Sequence, residues 1–219
     1  MQITCISALK MESAWLLSRL ADTRRIEIDR RRIWSGRLGE HEVTFLICGV
    51  GPDKARQSLE SCGLLQQAEH VFHLGVCGAL HPGLSRYKTL IAETVAATYE
   101  PEHAPVRLGD PDERLLAGLE GAQVPLKGKI LTHHEPVFSA RLRDDLHRRF
   151  GADCVDMEAW EVASWCRRKK ISLTVVKAVS DLADSKPDAS FSRHARIAAR
   201  EAGRVALAML RALSDRRSA

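Results

Sequence analysis

An α/β fold, with one sheet covered by helices, is predicted by three features of this 219-residue sequence. Short β-rich runs alternate with segments of helical periodicity. No Pro/Gly/Ser-rich or low-complexity stretch interrupts the chain, and its length suits one large core, so residues 1–219 read as a single domain. Hydrophobic residues make up 45% and charged residues 28%, the balance of a soluble globular chain.

The elements follow in order. Gln2 to Ala8 reads as a strand, and Met11 to Ala21 as a helix whose apolar face is Trp15, Leu16, Leu17 and Leu20. Arg32 to Leu38 and Glu42 to Cys48 form a hairpin turned at Gly39-Glu40. Gly49-Val50-Gly51-Pro52 breaks the chain before a helix through Leu65, with Pro52 suited to its first turn. His70 to Val76 is a strand ending in the small-residue turn Gly75 to Ala79, and Thr89 to Ala96 is another. Tyr99 to Pro125, with four prolines, gives no regular pattern. Strands at Lys129 to Thr132 and Cys154 to Asp156 bracket a helix near Ser139 to Phe150. Met157 to Lys170 is helical, Leu173 to Val179 is a strand, and Ser190 to Leu213 is a long closing helix. Disorder is expected only in the tail from Arg216 to Ala219.

Several function classes are set aside by composition. No apolar run approaches the roughly 20 residues of a bilayer span, and the acidic Glu12 follows the first strand, unlike a secretory leader. Cytoplasm is the expected compartment, with no membrane partner. The six cysteines lack paired CxxC spacing and sit in apolar runs, as buried thiols do. The net charge of +5 comes from basic residues in separate places, with no aromatic residues interleaved as a stacking platform. A solvated basic surface is expected, not a nucleic-acid site. His133-His134-Glu135 hints at a metal, but adjacent histidines on a strand face opposite ways, so neither metal nor cofactor is called for.

Three segments bring acids to junctions between elements. Glu12 follows a strand in a first helical turn, where helix-dipole placement is the plain alternative to catalysis. Asp156-Met157-Glu158 lies at a strand-to-helix junction, where capping competes with function. Ser180-Asp181 ends a buried strand and puts a hydroxyl and a carboxyl at the sheet edge, with a turn as the alternative. Cleaving an N-glycosidic bond needs an acid for the leaving base, a holder for the ribose hydroxyls and an oriented nucleophile. Carboxylates suit all three tasks.

In this order, Ala8 to Glu12, Gly49 to Gly51, Gly75 to Leu80, Asp156 to Ala159 and Lys177 to Asp181 resemble the nucleoside phosphorylase superfamily. The resemblance is strongest to its methylthioadenosine/S-adenosylhomocysteine nucleosidase branch. It implies a three-layer αβα fold around a central twisted mixed sheet, a purine nucleoside as small-molecule substrate, and a homodimer. It also implies roles: Asp181 as the acid toward purine N7 with Ser180 orienting it, and Glu12 as the base for water. Glu158 would hold the ribose diol and Met157 pack on the sugar. Val50 and Phe191 would wall the 5′ pocket, and Phe138 would lie near the purine edge.

The chain departs from that branch at four positions: Val76 for a small hydroxyl residue, Lys177 for an arginine near the water, Asp156 for a glutamate and Ala79 for a glycine. Related bacterial phosphorylases carry an arginine and a serine where His73 and Val76 stand, and a phosphate dianion beside Glu12 would be repelled. Hydrolysis is therefore the expected reaction. The alternatives are a purine phosphorylase, a hopanoid-associated adenosyl nucleosidase or phosphorylase, and a weakly active nucleoside-binding protein.

Overall fold

The computed structural model describes residues 1–28, 31–109, 125–184 and 189–215. The strands are β1 (Gln2–Ser7), β2 (Ala21–Ile28), β3 (Arg31–Leu38), β4 (His41–Ile47), β5 (His70–Ala79), β6 (Thr89–Ala97), β7 (Val106–Arg107), β8 (Leu126–Thr132), β9 (Cys154–Asp156) and β10 (Ser172–Asp181). The helices are α1 (Lys10–Leu17), α2 (Pro52–Ser61), α3 (Ala140–Phe150), α4 (Ala159–Lys169) and α5 (Phe191–Asp215).

The strands join into one mixed sheet, ordered β10-β6-β8-β9-β5-β1-β4-β3-β2. Because β10 also pairs with β5, five strands close into a ring and β1 to β4 extend from it as a wing. Parallel pairs (β1–β4, β1–β5, β5–β10, β6–β8, β8–β9) mix with antiparallel ones. Strand alternation sends side chains to helices on both faces. Ile3, Cys5, Val43, Phe45, Phe72 and Leu74 pack toward Leu16 of α1 and Ala202, Val205 and Met209 of α5. Ile6, Leu46 and Val71 pack the other way, against Ala55 and Leu59 of α2 and Val162 and Trp165 of α4.

Some boundaries differ from the sequence expectation. The first helix ends at Leu17, not Ala21, and Ala21–Ile28 is a strand pairing with β3. Trp15 and Leu20 still pack on the core beside Leu16, so the apolar positions are right and the element that carries Leu20 is not. The second helix stops at Ser61, and a 3₁₀ turn covers Gly63–Gln67. The small-residue segment Gly75 to Ala79 is not a turn but the second half of β5. α4 starts at Ala159, which leaves Met157 and Glu158 ahead of the helix. The hairpin turn at Gly39-Glu40 is as expected, with Gly39 at φ 59°. Most of Tyr99 to Pro125 (residues 110–124) and the tail from Arg216 lie outside the described residues. All six cysteines are buried free thiols, as expected. No described helix is long and apolar enough to cross a membrane.

Candidate active site

Strand ends of the ring and the β1–α1 junction open on one cavity of about 290 Å³. Nine of the ten residues singled out from the sequence line it: Glu12, Val50, Val76, Phe138, Met157, Glu158, Ser180, Asp181 and Phe191. The tenth, Lys177, is 1% exposed and lies behind the wall. Its ammonium is 2.8 Å from Asp156 Oδ2, and its charge reaches the wall acids Glu12 and Glu158 from behind.

Asp181 stands where β10 leaves its register with β5. The pairing shifts between Val179 and Asp181, a bulge that re-aims the side chain at the strand's end. Ser180 Oγ donates to Asp181 Oδ2 at 2.7 Å, and the Ala183 amide donates to Oδ1 at 3.0 Å. A Cβ added at Gly78 would meet Asp181 Oδ1, Ala183 Cβ and Val155 Cγ1 at 3.1 to 3.3 Å, so these three groups converge on one end of the cavity.

Glu12 occupies the other end. It is buried, with Oε1 accepting from the Val76 amide (2.9 Å) and Oε2 from the Leu9 amide (2.8 Å). Burial pushes its pKa up, opposed by the Lys177 charge and these two amides. Gly75 makes room for this arrangement: a Cβ there would lie 2.5 Å from Glu12 Oε1 and 3.1 Å from Lys177 Nζ. The helix-start alternative holds for one oxygen, since Oε2 accepts from the amide of the N-cap Leu9, while Oε1 reaches across to the β5 backbone at Val76, which helix placement alone does not explain.

Glu158, also on the wall, accepts at Oε1 from the Gly51 amide at 2.7 Å, which ties the Gly49–Gly51 bend to the β9–α4 junction. Asp156 lies beneath it, and its carboxylate accepts from Thr132 Oγ1 (2.8 Å) and the Ala159 amide (3.0 Å) as well as Lys177. Asp156 thus takes up the first amide of α4, as a cap would, although the N-cap residue is Glu158 and not Asp156. Burial would raise its pKa, but Lys177 and then His73 outweigh burial and hold it well below the usual carboxylate range. His73 is fully buried, with Nδ1 3.2 Å from the Ile6 carbonyl and Nε2 3.6 Å from Asp156 Oδ2. Burial, then Lys177, lowers its pKa. His73 does not reach the cavity wall.

Burial, and then the Asp156 charge, push Glu158 up to about 8. A carboxyl whose folded pKa is raised stabilises the fold below its ordinary pKa of 4.5, and that stability is lost as pH rises toward about 8. Burial acts on Glu12 in the same direction. Thermal melts from about pH 5 to about pH 9 should therefore show Tm falling with pH, and Glu158→Gln should flatten the decline. A slope unchanged in Glu158→Gln would assign it to other groups.

Glu161 and Trp160 serve packing, as expected. The Glu161 carboxylate takes two bonds from Arg56 of α2 (2.9 and 3.1 Å) and one from Tyr99. His133 and His134 do not face opposite ways: they lie beyond the end of β8 with ring centroids 4.5 Å apart. Sequence reasoning missed Leu9, Glu135, Val137, Val155 and Ala183 on the cavity wall. Glu135 was legible only as part of a weak metal signal.

The sequence profile of the phosphorylase superfamily matches residues 2–211. A 5′-methylthioadenosine/S-adenosylhomocysteine nucleosidase of Staphylococcus epidermidis is 30% identical over 207 residues, covering 86% of this chain and 90% of that protein. The chain belongs to this nucleosidase family of the phosphorylase superfamily. The nucleosidase of Mycobacterium tuberculosis is 28% identical, covering 95% of this chain and 96% of its own. The family fold is shared with the nucleosidase of S. pneumoniae solved with a transition-state inhibitor, at a TM-score of 0.87 and 22% identity over 97% of this chain and 100% of that one. Futalosine hydrolase of Helicobacter pylori has the same fold, with a TM-score of 0.87 and 20% identity over 96% of this chain and 97% of that one.

Proposed function

We propose that this nucleosidase-family chain hydrolyses the N-glycosidic bond of an adenine nucleoside of the 5′-methylthioadenosine or S-adenosylhomocysteine type and releases the free base. The observation that carries this reading is that three acids line one cavity, with Asp181 beside Gly78 of β5, Glu12 beside Gly75 and Val76 of the same strand, and Glu158 on the same wall. Asp181, oriented by Ser180 and the Ala183 amide, gives a proton to purine N7. The C1′–N9 bond then breaks with its electron pair going to the base, leaving an oxocarbenium-like ribose. Glu158 accepts the ribose hydroxyls, with Met157 against the sugar. Water adds to C1′ and its proton passes to Glu12, whose basicity is raised by burial.

Water, rather than phosphate, is favoured by charge. The ionisable side chains on the wall are Glu12, Glu135, Asp156, Glu158 and Asp181, and no Lys, Arg or His among the described residues lines it. A phosphate dianion would meet carboxylates without a charge-assisted donor. His73, at the position of the phosphorylase arginine, is spent on the Ile6 carbonyl. Leu9, Val50 and Phe138 are large apolar residues left 38 to 44% exposed at the cavity, which suits cover by a second copy in a homodimer. The buried thiols suit a reducing compartment such as the cytoplasm.

The test is base release from both nucleosides, with and without added phosphate. The expected sugar product is the free 5′-substituted ribose at every phosphate concentration. A ribose 1-phosphate that rises with phosphate would make the chain a phosphorylase, and binding without base release would make it a nucleoside-binding protein.

A further inference from the structure

We infer that Glu135 determines base specificity: its carboxylate takes the hydrogen of the exocyclic 6-amino group of the purine. The inference rests on the nucleoside-hydrolase reading and extends it to the choice of base. Three observations support it.

The first is position. Val137 belongs to the same buried apolar cluster as Val155 and Ala183, and these last two converge with Asp181 at Gly78. Glu135, two residues before Val137 and also on the wall, therefore belongs to the Asp181 end, where the base sits if Asp181 protonates N7. Glu12, Leu9 and Val76 define the opposite end.

The second is rigidity. Pro136 restricts Glu135 to extended backbone. Val137 on one side is 4% exposed. On the other side the His133 amide donates to the Asp156 carbonyl at 2.9 Å, and His133 Nδ1 lies 2.7 Å from Thr98 Oγ1. A carboxylate on so anchored a loop is pre-organised for a ligand.

The third is chemistry. Glu135 accepts no hydrogen bond from any described residue, whereas His133 and Val137 on either side of it are held by a bond and by burial. Its charge acts on His133, whose pKa is lowered first by burial and then by His134 and raised by Glu135. An ionised carboxylate accepts and cannot donate. It attracts a 6-amino group and repels a 6-oxo oxygen, so it selects adenine over a 6-oxopurine in the orientation that puts N7 at Asp181.

The experiment compares 5′-methylthioadenosine with 5′-methylthioinosine on wild type, Glu135→Gln and Glu135→Ala. Both base release (kcat/KM) and binding by calorimetry are read. A hydrogen bond to a charged group is worth about 10- to 100-fold, so wild type should favour the amino nucleoside by about that factor. Glu135→Ala should lose most of the preference through weaker use of the amino nucleoside. Glu135→Gln, whose amide both accepts and donates, should shrink it by gaining on the oxo nucleoside. A preference unchanged in both folded variants overturns the assignment to Glu135, as does a wild type that prefers the oxo base. Failure of the hydrolase reading looks different, because no base is released from either nucleoside. In that case the calorimetric preference and its response to Glu135→Gln still decide the inference.

Discussion

Asp181→Asn is expected to keep its fold and to lose about 10²- to 10⁴-fold in kcat, the usual contribution of a positioned general acid. The amide cannot deliver a proton to N7, while it keeps the size of the carboxyl, its oxygen can accept from the Ala183 amide, and its NH2 can donate to Ser180 Oγ in place of the bond Ser180 gave the carboxylate. Ser180 also donates toward the Cys77 carbonyl at 3.3 Å, which holds the hydroxyl to β5 whatever stands at position 181. The melting temperature should therefore change little. KM should change less than kcat, because the lost interaction belongs to the transition state. The check is steady-state base release together with a melt. Near wild-type kcat in a folded Asp181→Asn protein would remove Asp181 from the mechanism and leave leaving-group activation unassigned.

Lys177→Met should be the most damaging single change to stability, about 3 to 5 kcal/mol by denaturant unfolding at neutral pH. Lys177 is a buried cation beside three buried acids, paired with Asp156 at 2.8 Å; burial would lower its pKa, but the charges of Asp156, Glu158 and Glu12 outweigh burial and keep it protonated. Methionine fills the volume and leaves Asp156 with a charge that only neutral donors face. Such a loss is a large part of the 5 to 15 kcal/mol typical of a domain. Its pH dependence follows from Asp156, whose pKa in the fold is held low. The stabilisation that Lys177 gives is present above the ordinary range of an aspartate and fades as pH falls and Asp156 takes up a proton. Lys177→Met with Asp156→Asn should recover part of the loss, since it removes the orphaned charge. A loss below about 1 kcal/mol in Lys177→Met would show that Asp156 is neutralised some other way.

Much of this architecture can be read from the chain itself. The β-rich run Val175 to Val179, the breaker at Gly49 to Pro52, the turn at Gly39-Glu40 and the long amphipathic stretch from Phe191 appear where local pattern puts them. The five short motifs, in order, bring seven of the nine wall residues expected from the sequence to one cavity, and Phe138 and Phe191 join them from outside the motifs. Most of those residues stand at an element's end or in a break beside it, where composition changes abruptly and one sequence carries the signal, whereas Val76 lies inside β5.

What the sequence by itself determined is which residues are buried and where elements break, since apolar periodicity and Gly/Pro chemistry act over a few neighbours. Which partner each residue meets was decided only in three dimensions. Leu20 had the right spacing for a helix, yet Ala21–Ile28 became a strand because β3 offered an edge to pair with. Gly75 to Ala79 looked like a turn, yet it continues β5 because β10 and β9 flank it on both sides. Lys177 was expected at the water, yet the register of β10 on β5 sets it beside Gly75, and Thr132, His73 and Asp156 close around it from three other strands. Glu135 carried only a weak metal signal beside two histidines, because its place depends on the cluster that Val137 shares with Val155 and Ala183, residues far apart in the chain. Buried charges and strand edges find their partners through long-range pairing, and that pairing leaves no periodic trace in the sequence.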